Sequence, residues 1–317
     1  MRGVLALPLA SEENILHLSL AQIVDSCAIG KTPPSTVRDV FLKQALKAHV
    51  DTNCIAEFLP NNSATPCEKD TRPFLGVPIS IKDTCDYEGT DSTLGYSCNV
   101  NKPASSHSVI AQMLLDAGAT LHVKTTVPTG LLALETDSDL FGYCSNPYNS
   151  GFTSGASTGG GAALLAYGGS KIEIGSDFGG SVRIPAHFNG LYSIKASYGR
   201  FPETGMASFC PGLQGIPLVT SPMAQNLEDL SEFCHRFVGL KPWVHCHSVS
   251  PSLFVLARLV YHPTRQCVPV PWRPVDFGKL RFGVVWSDGI TTPTPACRRA
   301  MKLVIDALRN QGHEVVD

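Results

Sequence analysis

Two serines stand in glycine-rich turns whose composition suits a nucleophile. Ser157 lies in Gly155-Ala156-Ser157-Thr158-Gly159-Gly160, and Ser181 lies in Asp177-Phe178-Gly179-Gly180-Ser181-Val182-Arg183. Glycine lets a backbone turn tightly and approach a ligand with no side chain in the way. A serine closing such a run can present its hydroxyl beside free backbone N–H groups, which suits an activated nucleophile next to an oxyanion hole. The hydroxyl then needs a base. The candidate is Lys82, in Gly76-Val77-Pro78-Ile79-Ser80-Ile81-Lys82-Asp83. A free lysine titrates at about 10.4 and is charged at neutral pH. It serves as a base only where burial or neighbours lower that value. Taken alone, Lys82 reads as an ordinary lysine that rests its stem on apolar surface and keeps its ammonium in water.

These residues need elements to position them. The β-prone apolar run Val77–Ile81 is consistent with a buried strand carrying Lys82. Between the two serine turns lie a short apolar helix and a short strand. Upstream, Pro33-Pro34-Ser35-Thr36 introduces a helix with Ser35 or Thr36 as its N-cap. Val37, Val40, Phe41, Ala45 and Ala48 give that helix one apolar face. His107 to Ala117 reads as a helix stopped at Gly118, and Leu121 to Lys124 reads as a strand. Near the end, Leu280 to Trp286 is a strand, Pro295 to Gln311 a helix, and Glu314 to Val316 a strand with little to pair with. This alternation predicts an α/β fold, a mixed β-sheet covered by α-helices on both sides.

With the three segments in this order, the chain resembles the amidase signature family. Within it the sequence is most similar to fungal acetamidase-type general amidases and more distantly to fatty acid amide hydrolases. The resemblance runs from about residue 16 to the C-terminus, and residues 151–197 carry it. It implies a single amidase-signature domain over 1–317. That domain would have N-terminal helices over about 1–70, a signature core over about 74–240 and an incomplete C-terminal α/β portion over about 241–317. It also implies a serine–serine–lysine triad, with Ser181 as nucleophile, Ser157 as bridge and Lys82 as base. The amides of Phe178, Gly179, Gly180 and Ser181 match the family's oxyanion hole. Asp177 and Arg183 match a paired acid and base that brace the nucleophile turn. Ser176 and Thr158 keep hydroxyls where the family carries threonine and serine. Before the bridging serine the family has a glycine joined by a cis peptide; Ala156 stands there in this chain. Leu131 and Leu132 align with a loop that lines the acyl pocket, although plain core packing explains them equally well. Three segments depart from the family. Residues 60–74 are polar where relatives carry a longer helical segment. Residues 244–261 have no counterpart, and read as an insertion or as translated intron. The chain stops at Asp317, where family members continue, and so reads as a shortened amidase.

Bulk properties exclude other classes. Lys and Arg number 25 against 27 Asp and Glu, a net charge of −2 that gives no footing for nucleic acid. No apolar run is long enough to span a bilayer, and MRGVLALPLAS only mimics a signal peptide. Eleven cysteines without paired spacing read as reduced thiols, hence a cytoplasmic protein. Cys234-His235 and His245-Cys246-His247 lack the spacing of structural zinc, so no metal is expected. The loop 155–161 lacks the Gly-Lys-Ser/Thr ending of a phosphate cradle, and no cofactor is expected. Gly179-Gly180-Ser181-Val182-Arg183 is not the Gly-x-Ser-x-Gly elbow of a Ser-His-Asp enzyme, and His187 reads as a packed residue beside the turn. The expected function is hydrolysis of a small or medium carboxamide through an acyl-enzyme, with self-association left open. The alternative is a catalytically inactive shortened homologue with a binding or accessory role. An amidotransferase A-type subunit shares the signature, but the stretch 124–149 is closer to general amidases.

Overall fold

The computed structural model describes residues 14–316 apart from 66, 68, 69, 212–214, 246–268 and 274–277. Most of the stretch 244–261 and all of MRGVLALPLAS therefore lie outside the described residues. The chain divides into two compact units, Met1–Pro271 and Trp272–Asp317.

In the first unit, helices α1 (Leu20–Ala28) and α2 (Pro34–Thr52) precede strands β1 (Ile55–Phe58) and β2 (Pro78–Lys82). Helix α3 (Val109–Asp116) and strand β3 (Thr120–Thr125) follow, then a small hairpin of β4 (Ser145–Asn146) and β5 (Asn149–Thr153). Next come α4 (Gly159–Ala166), β6 (Ile172–Asp177), α5 (Arg183–Phe188), β7 (Tyr192–Ser193), β8 (Val219–Ala224), α6 (Leu227–Gly239) and the short α7 (Pro242–His245). Six strands form one sheet in the order β1-β3-β2-β6-β8-β7. Its centre, β3-β2-β6, is parallel, and its outer pairs are antiparallel. This is the mixed sheet that the alternation of elements predicts.

The period of two along a strand divides the central strands between two layers. Ile79, Ile81, Leu121, Ile172 and Ile174 face α1, α3 and α6, where Leu20, Ile23, Ile110, Leu114, Phe233 and Phe237 complete one large core. The opposite face carries Ser80, Lys82 and Glu173 and is covered by α4. Helix α4 packs through Ala163 and Leu164 against α2 and Val123, and through Ala162 and Leu165 against α5 and Met223. The first layer holds the sheet together by burial of apolar surface, and the second leaves polar groups under a lid of small residues.

One local expectation changes. Helix α2 begins at Pro34, with Pro33 as N-cap and no side-chain cap, because proline at the first helical position has no N–H to satisfy. The cap is therefore neither Ser35 nor Thr36. Residues 59–77 hold no helix or strand among the described residues, in keeping with their polar, turn-forming composition.

The second unit contains β9 (Arg281–Gly283), α8 (Pro295–Asn310) and β10 (Glu314–Val316). β10 pairs in parallel with β9, Val315 opposite Phe282. The final strand thus has a partner that the sequence reading overlooked, reached by the α8 crossover.

Candidate active site

Lys82 closes β2 with its side chain fully buried. Its Nζ lies 2.8 Å from Ser157 Oγ, 3.0 Å from Ser176 Oγ and 3.4 Å from the Ser176 carbonyl oxygen. Burial penalises the ammonium and pulls the lysine down to about 7, against the opposing influence of the Glu173, Asp177 and Asp83 carboxylates. Burial in the sheet thus supplies the condition under which a lysine can lose its proton near neutral pH.

Ser157 is 1 % exposed and follows a cis peptide after Ala156, so the cis bond of the resemblance is kept with alanine in place of glycine. The turn leads directly into α4, whose first three residues are glycines at close approach. A Cβ on Gly159 would strike Thr136, one on Gly160 would strike Thr126, and one on Gly161 would strike the Glu173 carboxyl. These glycines set the helix down onto the sheet.

Asp177 organises the second turn. Its carboxylate accepts from Arg183 Nε at 3.0 Å and from Arg183 Nη2 at 2.9 Å. It also accepts from the amides of Gly180, Val182 and Arg183 at 2.9, 3.1 and 3.3 Å. Burial raises the Asp177 carboxyl, but the guanidinium and the amide donors outweigh it and leave the group below its ordinary value. Gly180 sits at φ 133°, in the region that glycine alone enters readily. The Ser181 carbonyl accepts from the Thr158 amide at 3.0 Å, which ties the two serine turns together.

Ser157 and Ser181 open on one cavity of about 270 Å³, lined by Leu131, Leu132, Leu134, Phe178, Ile184 and Phe209 among others. Leu131 is 5 % exposed and Leu132 67 %, so one packs inward while both border the cavity. No direct hydrogen bond joins the two serine hydroxyls among the described residues. Of the four amides that match the oxyanion hole, that of Gly180 donates to Asp177, whereas no protein acceptor is found for those of Phe178, Gly179 and Ser181 among the described residues.

Thr158 Oγ1 is buried without a hydrogen-bond partner among the described residues, while Ser176 bonds Lys82 directly. His187 is exposed, not packed, because it sits on the outer side of the short helix α5. No group of three His, Cys, Asp or Glu residues able to hold a metal occurs among the described residues. No helix among them is long and apolar enough to cross a membrane.

Sequence reasoning missed Glu173. It is fully buried in β6, beside the lysine. Burial pushes its carboxyl up to about 7, against the hydroxyls of Ser80 and Thr125 and the charge of Lys82. The signal in the chain was the Gly159-Gly160-Gly161 run, which clears space for a side chain beneath it.

Residues 37–317 match the family model described as Amidase. The chain is 32% identical to an acetamidase of Emericella nidulans over 96% of its own length and 56% of that protein's. It is 33% identical to fatty-acid amide hydrolase 1 of Sus scrofa over 98% of its length and 51% of that protein's. A solved structure of a fatty acid amide hydrolase superposes with a TM-score of 0.84 at 28% identity, covering 96% of this chain and 53% of the other. The chain thus spans about half the length of the curated relatives it matches. On this combination of sequence match, mixed-sheet fold and superposition, the chain belongs to the amidase signature family.

Proposed function

We propose that this chain carries the catalytic centre of an amide hydrolase that works through Ser181, Ser157 and Lys82. The observation that carries the reading is a fully buried lysine 2.8 Å from a serine that shares a cavity with a second serine. Neutral Lys82 takes a proton from the Ser157 hydroxyl as Ser157 takes one from Ser181. Ser181 Oγ attacks the amide carbonyl, and the oxyanion meets the amides of Phe178, Gly179 and Ser181. The same relay returns the proton to the leaving nitrogen as the C–N bond breaks. Water then hydrolyses the ester on Ser181, releasing a carboxylate. Asp177, braced by Arg183, holds the nucleophile turn, while Ser176 and Thr158 flank the relay.

The substrate is a small or medium carboxamide with an apolar acyl or aryl group. A cavity of about 270 Å³ bordered by leucines, isoleucine and phenylalanines supports that class. The nine cysteines of the described residues are all free thiols, which supports a reducing, cytoplasmic setting. A second reading, a catalytically silent homologue that binds a ligand in the same cavity, is favoured by the missing direct bond between the serine hydroxyls. Hydrolysis of a panel of aliphatic and aryl carboxamides separates the two. The hydrolase reading expects product formation by the chain and none by Ser181→Ala. Turnover that survives Ser181→Ala, or no turnover with any amide by the folded protein, contradicts it.

A further inference from the structure

Glu173 occupies a place that packing alone does not require. It pairs in register with Ser80, and Lys82 lies two residues further along the same face of β2. Thr125, which pairs with Lys82 from the other side, donates through Oγ1 to Glu173 Oε1 at 2.7 Å. Because β2 lies between β6 and β3, the Glu173 side chain crosses over β2 in the stretch that bears Ser80 and Lys82. Gly161 of α4 closes over it so tightly that a Cβ there would strike the carboxyl carbon. Glu173 Oε2 has no hydrogen-bond partner among the described residues, because the Ser80 hydroxyl, although close enough to act on the carboxyl, donates to the Ile172 carbonyl at 3.3 Å. A buried carboxyl with one oxygen unmatched is costly to a fold. An apolar residue or an alanine would fill the same layer without that cost.

We propose that Glu173 is a positioning residue for the proton chemistry of Lys82, its carboxyl setting the pH at which the lysine becomes a base. The inference rests on the hydrolase reading for its consequence, although not for its test. An ionised Glu173 favours the ammonium form of Lys82 and delays its loss of a proton. A protonated Glu173 releases that hold. The two groups therefore titrate as a pair, and the free amine appears at higher pH than it would beside an uncharged residue. The other groups bearing on the pair are few. Asp83 comes directly after the end of β2 and interacts with Lys124, and Asp177 on β6 is engaged by Arg183. The thiols of Cys54 and Cys85 lie within reach of the carboxylate's field, and burial pushes both up, so they stay neutral. Helix α4, with the sequence GGGAALLA, brings no charge, and the buried residues of α2 and of β8 bring none either.

The test is a pH titration of Lys82 by NMR of the chain labelled at the lysine ε-carbon, with the resonance identified by its absence in Lys82→Met. In Glu173→Gln the midpoint is expected to fall by about one pH unit. Glu173→Ala, which fits beneath Gly161, should shift it the same way and serves where the glutamine variant does not fold. A midpoint that stays put or rises in the folded variant overturns the proposal, because a merely structural glutamate would alter stability and leave the lysine titration unmoved. The pH profile of fluorophosphonate labelling gives a second reading, its acid limb expected to move down with the lysine. Should the wild-type chain fail to label at all, the hydrolase reading fails, and the lysine titration still decides the role of Glu173.

Discussion

Lys82 is the base we propose because the sheet removes its amine from water, which lowers its affinity for a proton. Lys82→Met and Ser157→Ala should each slow fluorophosphonate labelling by at least about 100-fold, the range general-base relays supply. Cooperative urea unfolding checks that both variants keep the fold, and labelling within a few-fold of wild type would remove them from the relay. The buried pair also leaves a mark on stability. The unfolded chain releases the Glu173 proton near 4.5, whereas the folded chain holds it to about 7. Between those values the folded state binds more protons, so the Glu173 contribution to stability falls as pH rises. For Lys82 the unfolded chain keeps its proton to 10.5 and the folded chain loses it near 7, so its contribution rises across that upper window. Glu173→Gln removes the falling limb. Measured by urea unfolding, the variant should gain stability relative to wild type between pH 5 and 7.5, and a constant difference would contradict this linkage.

At the scale of elements, the site depends on how closely α4 settles on the polar face of the sheet. Gly161→Ala should destabilise the chain, and the loss should shrink in a Glu173→Ala background, where the colliding carboxyl is gone. A double-mutant cycle should give a coupling of about 1 kcal/mol or more; independent effects would show that the helix does not rest on Glu173. Much of this layer was legible in the chain. The β-prone apolar run Val77–Ile81 already describes a buried strand carrying Lys82, and the glycines before each serine mark the turns. Glu173 was not legible for a reason of the same kind. A glutamate between Ile172 and Ile174 reads as a half-exposed strand position, and only the helix laid over that face makes it buried. The resemblance matches the Gly180 amide to the oxyanion hole, and a glycine run alone does not show that this amide donates to the Asp177 carboxylate at 2.9 Å.

At the scale of the whole molecule, every residue assigned to the site lies within the unit Met1–Pro271. The apolar clusters found among the described residues lie there too. A chain ended at Pro271 should therefore unfold cooperatively and label at a rate within about threefold of the full 317 residues, and loss of either property would show that Trp272–Asp317 contributes to the site. In the proposed reaction everything turns on Ser181 as an activated nucleophile. That role is tested most directly by treating the purified chain with a fluorophosphonate and locating the adduct by peptide mass spectrometry. One modified peptide is expected, carrying the adduct on Ser181, and none in Ser181→Ala. An adduct on another serine, or none on a cooperatively folded wild-type chain, would contradict it.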